Sequence, residues 1–286
     1  MSSERYQAEV LRACADVVAS PNFATEIRDL FGLWDFGAAE HTEVFVLELI
    51  PDASIYLTTA AHLAGVPLEL VEGFYSALGL DGSGDASSLS SQLGFFASLL
   101  EMVADNRSDA KKLAVLDRTR SAFLFEHIVP WVPVYASVVA RIAPELGPWS
   151  SALLEVLESQ FAQLDLKSWD WDAAVLDSRP AFSTYEESTL SEMLVSPFLS
   201  GFVLTRKLLF SRSHQLGLAP RVGTRKFMMA SLLDQDPRAA ITLVGAEAIE
   251  QSGRWRDLGN CFGSALVSWE KQCQDSLDAL GIPNRP

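Results

Sequence analysis

The chain has 286 residues, 49% of them hydrophobic and 21% charged, which is enough apolar material for a sizeable core and argues against a disordered chain. Its net charge of −15 speaks against nonspecific nucleic-acid binding, which needs clustered Lys and Arg against phosphates, and suits a basic partner such as an arginine-bearing peptide. Cys14, Cys261 and Cys273 share no CxxC spacing, the N-terminus lacks the apolar stretch of a secretory signal, and no apolar run reaches the length of a membrane span. The sequence therefore predicts a reduced, cytoplasmic protein without membrane insertion.

Helical periodicity dominates from the start. Tyr6, Val10, Leu11 and Cys14 form one stripe of an amphipathic helix. A second helix, over 42–50, carries Val44, Phe45, Leu47 and Ile50 and ends at Pro51. The stretch 67–78 places Leu70, Phe74, Tyr75 and Leu78 on one face, with Pro67 in the first turn and Gly79 as a stop. DGSGDASSLSS, over 81–91, predicts a loop ending in serine caps. Helices follow over 93–104, 109–125 and 149–164. A polar, aromatic stretch over 165–187, broken at Pro180, then predicts a connection across the surface. Beyond it, helices are expected over 197–209, 222–233, 239–251 and 254–280. No stretch alternates with period two over a strand's length, so the fold class is all-α. The expected organisation is an N-terminal helical core over 1–164, the connecting segment over 165–187, and a C-terminal helical part over 188–286 packed on the same domain.

The chemistry concentrates in FEHIVPW, Phe125 to Trp131. Pro130 disfavours the α conformation at Val129, so the helix is expected to end near His127 or Ile128, and Pro133 opens the next one. That puts His127 at a helix C-terminus, where the dipole and Glu126 both favour the imidazolium. The stretch reads either as a recognition corner, with a charge pair and an aromatic shelf at Trp131, or as a helix joint whose tryptophan is core. His41, His62 and His214 are isolated and form no metal-binding set. No phosphate-binding loop or nucleophile elbow is present, so a small helical hydrolase would have to rely on Glu126 and His127. Two further stretches have double readings. RVGTRK, over 221–226, with Arg206, Lys207 and Arg212, reads as a site for phosphate or an acidic patch, or as a solvated face. SWDWD, over 168–172, reads as an arginine clamp or a surface loop.

FEHIVPW resembles the hallmark of the TorD family, the chaperones that mature molybdenum-containing oxidoreductases: Glu126, His127, Ile128, Val129, Pro130, Trp131, then Tyr135. Glu126 stands where the family often has Asp. The segment 44–57, with Pro51, Ser54 and Tyr56, and the helix after it are similar to the family's early segment. The stretch 196–233 is similar to the tail of longer members, so the resemblance spans residues 40–235. Ser87-Ser88-Leu89 departs from the family's Asp-His-Leu and removes a histidine. The resemblance implies a helical bundle of the TorD type and a non-enzymatic cytoplasmic chaperone with no cofactor of its own, as monomer or homodimer. Its partner would be the apo catalytic subunit of a molybdopterin-dependent oxidoreductase, with or without a twin-arginine signal peptide, held during cofactor insertion. The binding residues implied are Glu126, His127, Pro130, Trp131 and Tyr135, joined by Tyr56 and Asp52. Glu126 would pair with arginine, His127 would orient it, and Pro130 and Trp131 would pack on the peptide's apolar segment.

Overall fold

Side-chain caps written in the sequence start most of the long helices. Ser2, Ser88 and Asp109 each accept a hydrogen bond from the first turn of the helix that follows, as do Thr189, Thr205, Thr224 and Asp236 further on. The computed structural model describes residues 2–59, 66–80, 85–164, 182 and 189–283. Of the predicted features, His62, SWDWD, residues 81–84 of the serine-rich loop and all of the 165–187 connection except Phe182 lie outside the described residues. The described part is all-α, as expected; among the described residues no strand forms, and the isolated bridge between Asp52 and Ser88 stands alone.

The chain divides into two compact units, one of residues 1–54 and 62–170 and the other of 55–61 and 171–286. In chain order the helices are α1 (Ser3–Ala19), α2 (Thr25–Phe31), α3 (Ala38–His41), α4 (Ala53–Leu57), α5 (Val66–Ala77), α6 (Leu89–Asp105), α7 (Ala110–Phe123), α8 (Val132–Ile142) and α9 (Gly147–Phe161). They continue as α10 (Leu190–Val195), α11 (Pro197–Ser200), α12 (Arg206–Gln215), α13 (Arg225–Gln235), α14 (Pro237–Phe262) and α15 (Ser264–Ala279). Two wider π-helical segments extend α3 and α7, Thr42–Glu48 and Leu124–Ile128.

In the first unit α1 lies along α6, and Arg12 pairs with Glu101 across them. Of the predicted α1 stripe, Val10, Leu11 and Cys14 are core while Tyr6 is exposed. Trp149 on α9 donates its indole N–H to the Cys14 carbonyl at 3.1 Å. His41 is core as well: its Nε2 donates to the Val18 carbonyl at 3.0 Å.

The second unit corrects two helix boundaries. The helix expected over 197–209 breaks at Gly201, whose φ of 73° is open to glycine and costly for other residues. The helices expected over 239–251 and 254–280 are instead divided at Gly263, so α14 runs unbroken through Gly253. The irregular stretch after α11 is buried, and side chains of α14 and α15 satisfy its backbone. Gln251 accepts from the Val203 N–H at 2.8 Å and donates to the Val203 carbonyl at 2.9 Å. Trp255 donates to the Gly201 carbonyl at 2.8 Å, and Ser276 to the Ser200 carbonyl at 2.8 Å. A buried loop survives only with such partners.

A Cβ on Gly201 would lie 2.3 Å from the Cys273 backbone nitrogen, whereas one on Gly32, also at positive φ, would meet nothing within 4 Å. Gly32→Ala should therefore cost about 1 kcal/mol from backbone strain alone. Gly201→Ala should exceed about 3 kcal/mol, because backbone must move. Urea denaturation of both variants checks the contrast.

Candidate functional site

The FEHIVPW corner is where two π-helical turns are tied down by aromatic side chains. At the end of α7 the hydrogen bonding widens by one residue, and the Val129 N–H bonds the Leu124 carbonyl at 2.9 Å. Val129 stays in the α region (φ −61°, ψ −31°), so Pro130 does not push it into extended backbone as predicted. The wider turn accommodates the proline ring instead, and the chain bends by 52° between Ala110–Ile128 and Val132–Ile142.

This geometry leaves carbonyls needing donors. The Trp131 backbone N–H bonds Ile128 O at 3.3 Å rather than the carbonyl four residues back. The Trp131 indole N–H takes that carbonyl, His127 O, at 3.0 Å, and also lies 3.2 Å from Gln92 Oε1 on α6. One turn further on, the Tyr135 hydroxyl donates to Leu49 O at 3.2 Å, just past the first π-helical segment. Trp131 and Tyr135 are both 0% exposed, and their rings meet edge to face at 5.6 Å. Pro130 is buried too. The aromatic shelf expected at Trp131 is therefore not a surface: the tryptophan is core, and its donor closes the bend.

His127 is 7% exposed, with its ring 5.1 Å from Phe123 and 5.4 Å from Phe74. Its ring nitrogens have no hydrogen-bond partner among the described residues. Burial pushes its pKa down to about 4, so the imidazole is neutral at pH 7 and the expected imidazolium is corrected: loss of water outweighs the helix dipole. Glu126 is exposed, and partial desolvation raises its carboxyl above the usual range. His127 makes no hydrogen bond to Glu126, so it does not orient that carboxylate.

Asp52 is buried and engaged at both oxygens, by the Ser54 N–H at 2.9 Å and the Ser87 hydroxyl at 2.8 Å. Ser88 caps α6 through the Ser91 N–H at 3.2 Å. The two serines that depart from the family pattern thus anchor the Pro51 turn to α6. Tyr56 belongs to the second unit and is buried. Of the seven predicted site residues only Glu126 presents its side chain at the surface.

The residues that the sequence groups on one face of α5 are divided by the structure between core and solvent. On α5, Val71 and Tyr75 are buried, while Leu70 is 53% and Leu78 40% exposed, with half-buried Phe74 between them. Leu70, Phe74 and Leu78 are spaced i, i+4, i+8 and line one side of the helix and its following turn. Phe74 touches His127, Phe95 and Phe123, and Glu69 and Glu72 flank the stripe. Apolar periodicity flagged these residues but could not say which side of the helix faces water.

The corner and its flanks thus define an all-helical protein that presents an acidic, apolar surface over an aromatic lock. Residues 35–137 match the family model described as nitrate reductase delta subunit, a family of redox-enzyme maturation chaperones of the NarJ and TorD type. The match takes in the first π-helical segment, the Pro51 turn, α5 and the whole FEHIVPW corner, and it bears out the family resemblance; the stretch 196–233 falls outside it. Comparison with curated proteins and with solved structures gave no match.

Two measurements test the corner. Trp131→Phe keeps a ring and loses the donor, and should cost about 1–2 kcal/mol, against about 3–5 kcal/mol for Trp131→Ala, in chemical denaturation. His127 takes up a proton near pH 6.5 when unfolded but only near pH 4 when folded. The unfolded chain therefore binds more protons in that window, and stability falls as pH drops from about 6.5 to 4, by on the order of 3 kcal/mol. His127→Leu should flatten this part of the stability–pH curve; an unchanged slope would place the titration elsewhere.

Proposed function

We propose that the chain is a maturation chaperone that binds the apo catalytic subunit of a molybdopterin-dependent oxidoreductase while its cofactor is inserted. The observation that carries this reading is the coincidence of the family match with an exposed apolar stripe on α5, flanked by Glu69 and Glu72, whose Phe74 packs on His127, the sequence neighbour of the exposed Glu126. A twin-arginine leader offers cations followed by an apolar segment, and Glu126 with Leu70, Phe74 and Leu78 has the complementary chemistry. The side chains involved bind without reacting, so the chain acts as a binder and not as an enzyme. The cofactor belongs to the client. In this reading His127, Trp131 and Tyr135 support the surface from beneath: His127 holds Phe74, and the two aromatic donors fix the bend that carries Glu126.

Capture of partners from cells with the tagged chain, followed by mass spectrometry, tests the reading. A molybdopterin-dependent catalytic subunit is the expected partner. A double substitution, Glu126→Lys with Leu70→Asp, changes exposed positions, so it should abolish capture while leaving the melting temperature within a few degrees of the parent. Capture that survives the double substitution would move the contact away from α5, and absence of such a subunit from cells that make one would sink the chaperone reading.

A further inference from the structure

Charge is distributed very unevenly along this acidic chain. Between Met193 and Leu233 lie six of its 22 Lys and Arg residues and none of its 37 Asp and Glu. All six sit on α12, on α13 or on the loop between them: Arg206, Lys207, Arg212, Arg221, Arg225 and Lys226. Residues from outside the run take up some of that charge. Arg212 pairs with Glu250 at 3.1 Å, and Lys226 pairs with Glu192, whose carboxyl it draws down to about 2. Arg225 donates to the Leu204 carbonyl at 3.3 Å. Arg221 is exposed and makes no ion pair among the described residues.

Apolar side chains stand among these cations. Val222 is 87% exposed, and Phe210, Leu216 and Phe227 are each more than two-fifths exposed. The loop that displays them is held from several sides. Gly217, at φ 70°, ends α12, and the Leu218 N–H returns to the Ser213 carbonyl at 2.9 Å. Gln235 brackets Ala219, accepting from its N–H at 3.1 Å and donating to its carbonyl at 2.8 Å. Leu218 and Pro220 are buried, and the Phe227 ring folds over Gly223 so closely that a Cβ there would lie 2.7 Å from it. A loop fixed this firmly, with a bare valine and a bare arginine at its crest, has already met the ordering cost that weakens binding by flexible loops.

We propose that α12, α13 and their loop form a docking surface for an acidic segment of a partner protein, one in which carboxylates alternate with apolar side chains. This goes beyond the proposed function: it lies in the other unit and asks for a partner of opposite charge to a leader peptide. Local cations act over about 8 Å at physiological ionic strength, so a short acidic segment senses the patch more than the acidic remainder of the chain. An extended polyanion, an anionic membrane or a second copy of the chain would bring larger charge against a molecule of net charge −15. The exposed Val222, Phe210 and Phe227 also fit a protein segment better than a bare phosphate.

The test uses the full chain and a fluorescent peptide of alternating glutamate and leucine, with glutamine and lysine counterparts. Binding of the glutamate peptide should fall with salt, and should weaken about tenfold in Arg221→Glu/Val222→Asp. A charge-matched variant on α7, Lys111→Glu/Val115→Asp, should bind like the parent, and both variants should keep the parent melting temperature. The proposal is overturned if the glutamate and glutamine peptides bind alike, if neither binds, or if the α7 variant loses as much as the patch variant. It is equally overturned if phosphatidylserine vesicles or a single-stranded oligonucleotide bind through Arg221 and Val222 where the peptide does not. Sedimentation that finds the chain self-associating through these residues would assign the surface to a second copy instead.

Discussion

The hydrogen bond from the Trp131 indole to the His127 carbonyl, 3.0 Å long and buried, decides how the chain can bend by 52° inside its own core. A proline three residues after a histidine would ordinarily end a helix in solvent, where water meets the freed carbonyls. Here the break lies among Phe123, Val129, Tyr135 and Val139, none more than 7% exposed, so water is no partner and each lost backbone bond would cost about 1–3 kcal/mol. Widening to a π-helical turn and recruiting an indole N–H solve the problem together: the turn absorbs the proline ring, and the side chain supplies the donor. Tyr135 repeats the device on the Leu49 carbonyl, tying the first π-helical segment to the second through one helix, α8. Neither phenylalanine nor leucine could replace these residues on volume alone.

This arrangement changes what the motif residues mean. Read as a string, an acid, a histidine, a proline and a tryptophan look like a contact surface. In three dimensions the tryptophan, the tyrosine and the proline are interior, the histidine is neutral and packed against phenylalanines, and only the acid meets solvent. The lock acts at one remove from any ligand. It sets the direction of the α7–α8 turn, and through His127 it seats Phe74, between the exposed Leu70 and Leu78. A signature motif can therefore mark the support of a surface rather than the surface.

The elements were largely legible because helix signals are local. Ser88, Asp109, Thr224 and Asp236 cap the helices they precede, and the 3.6-residue spacing of Val10, Leu11 and Cys14 marks a buried face. What escaped was settled by tertiary contacts. The sharp break at Gly201 depends on α15 passing against its backbone, and Gly253 stays helical although the expected helices were divided there. Nor does period alone distinguish a π-helical turn from an α-helical one, since both continue the same apolar run through Thr42–Glu48. The division of α5 between core and solvent has the same origin. Leu70, Phe74, Tyr75 and Leu78 look equivalent in periodicity, yet Phe95 and Phe123 pack beneath Tyr75 and leave Leu70 outside.

The two exposed surfaces invert each other's charge, and that inversion separates partners more sharply than affinity would. On α5 apolar residues stand among Glu69 and Glu72; on α12, α13 and their loop they stand among Lys207, Arg221 and Lys226. Apolar area alone discriminates poorly between ligands, whereas a like charge brought against a partly desolvated one is repelled. A cationic segment is thus turned away from the basic surface and an acidic one from the α5 stripe. Were both surfaces to bind segments of one client, as proposed, each segment would have a single place to bind, with no need for either interaction to be tight.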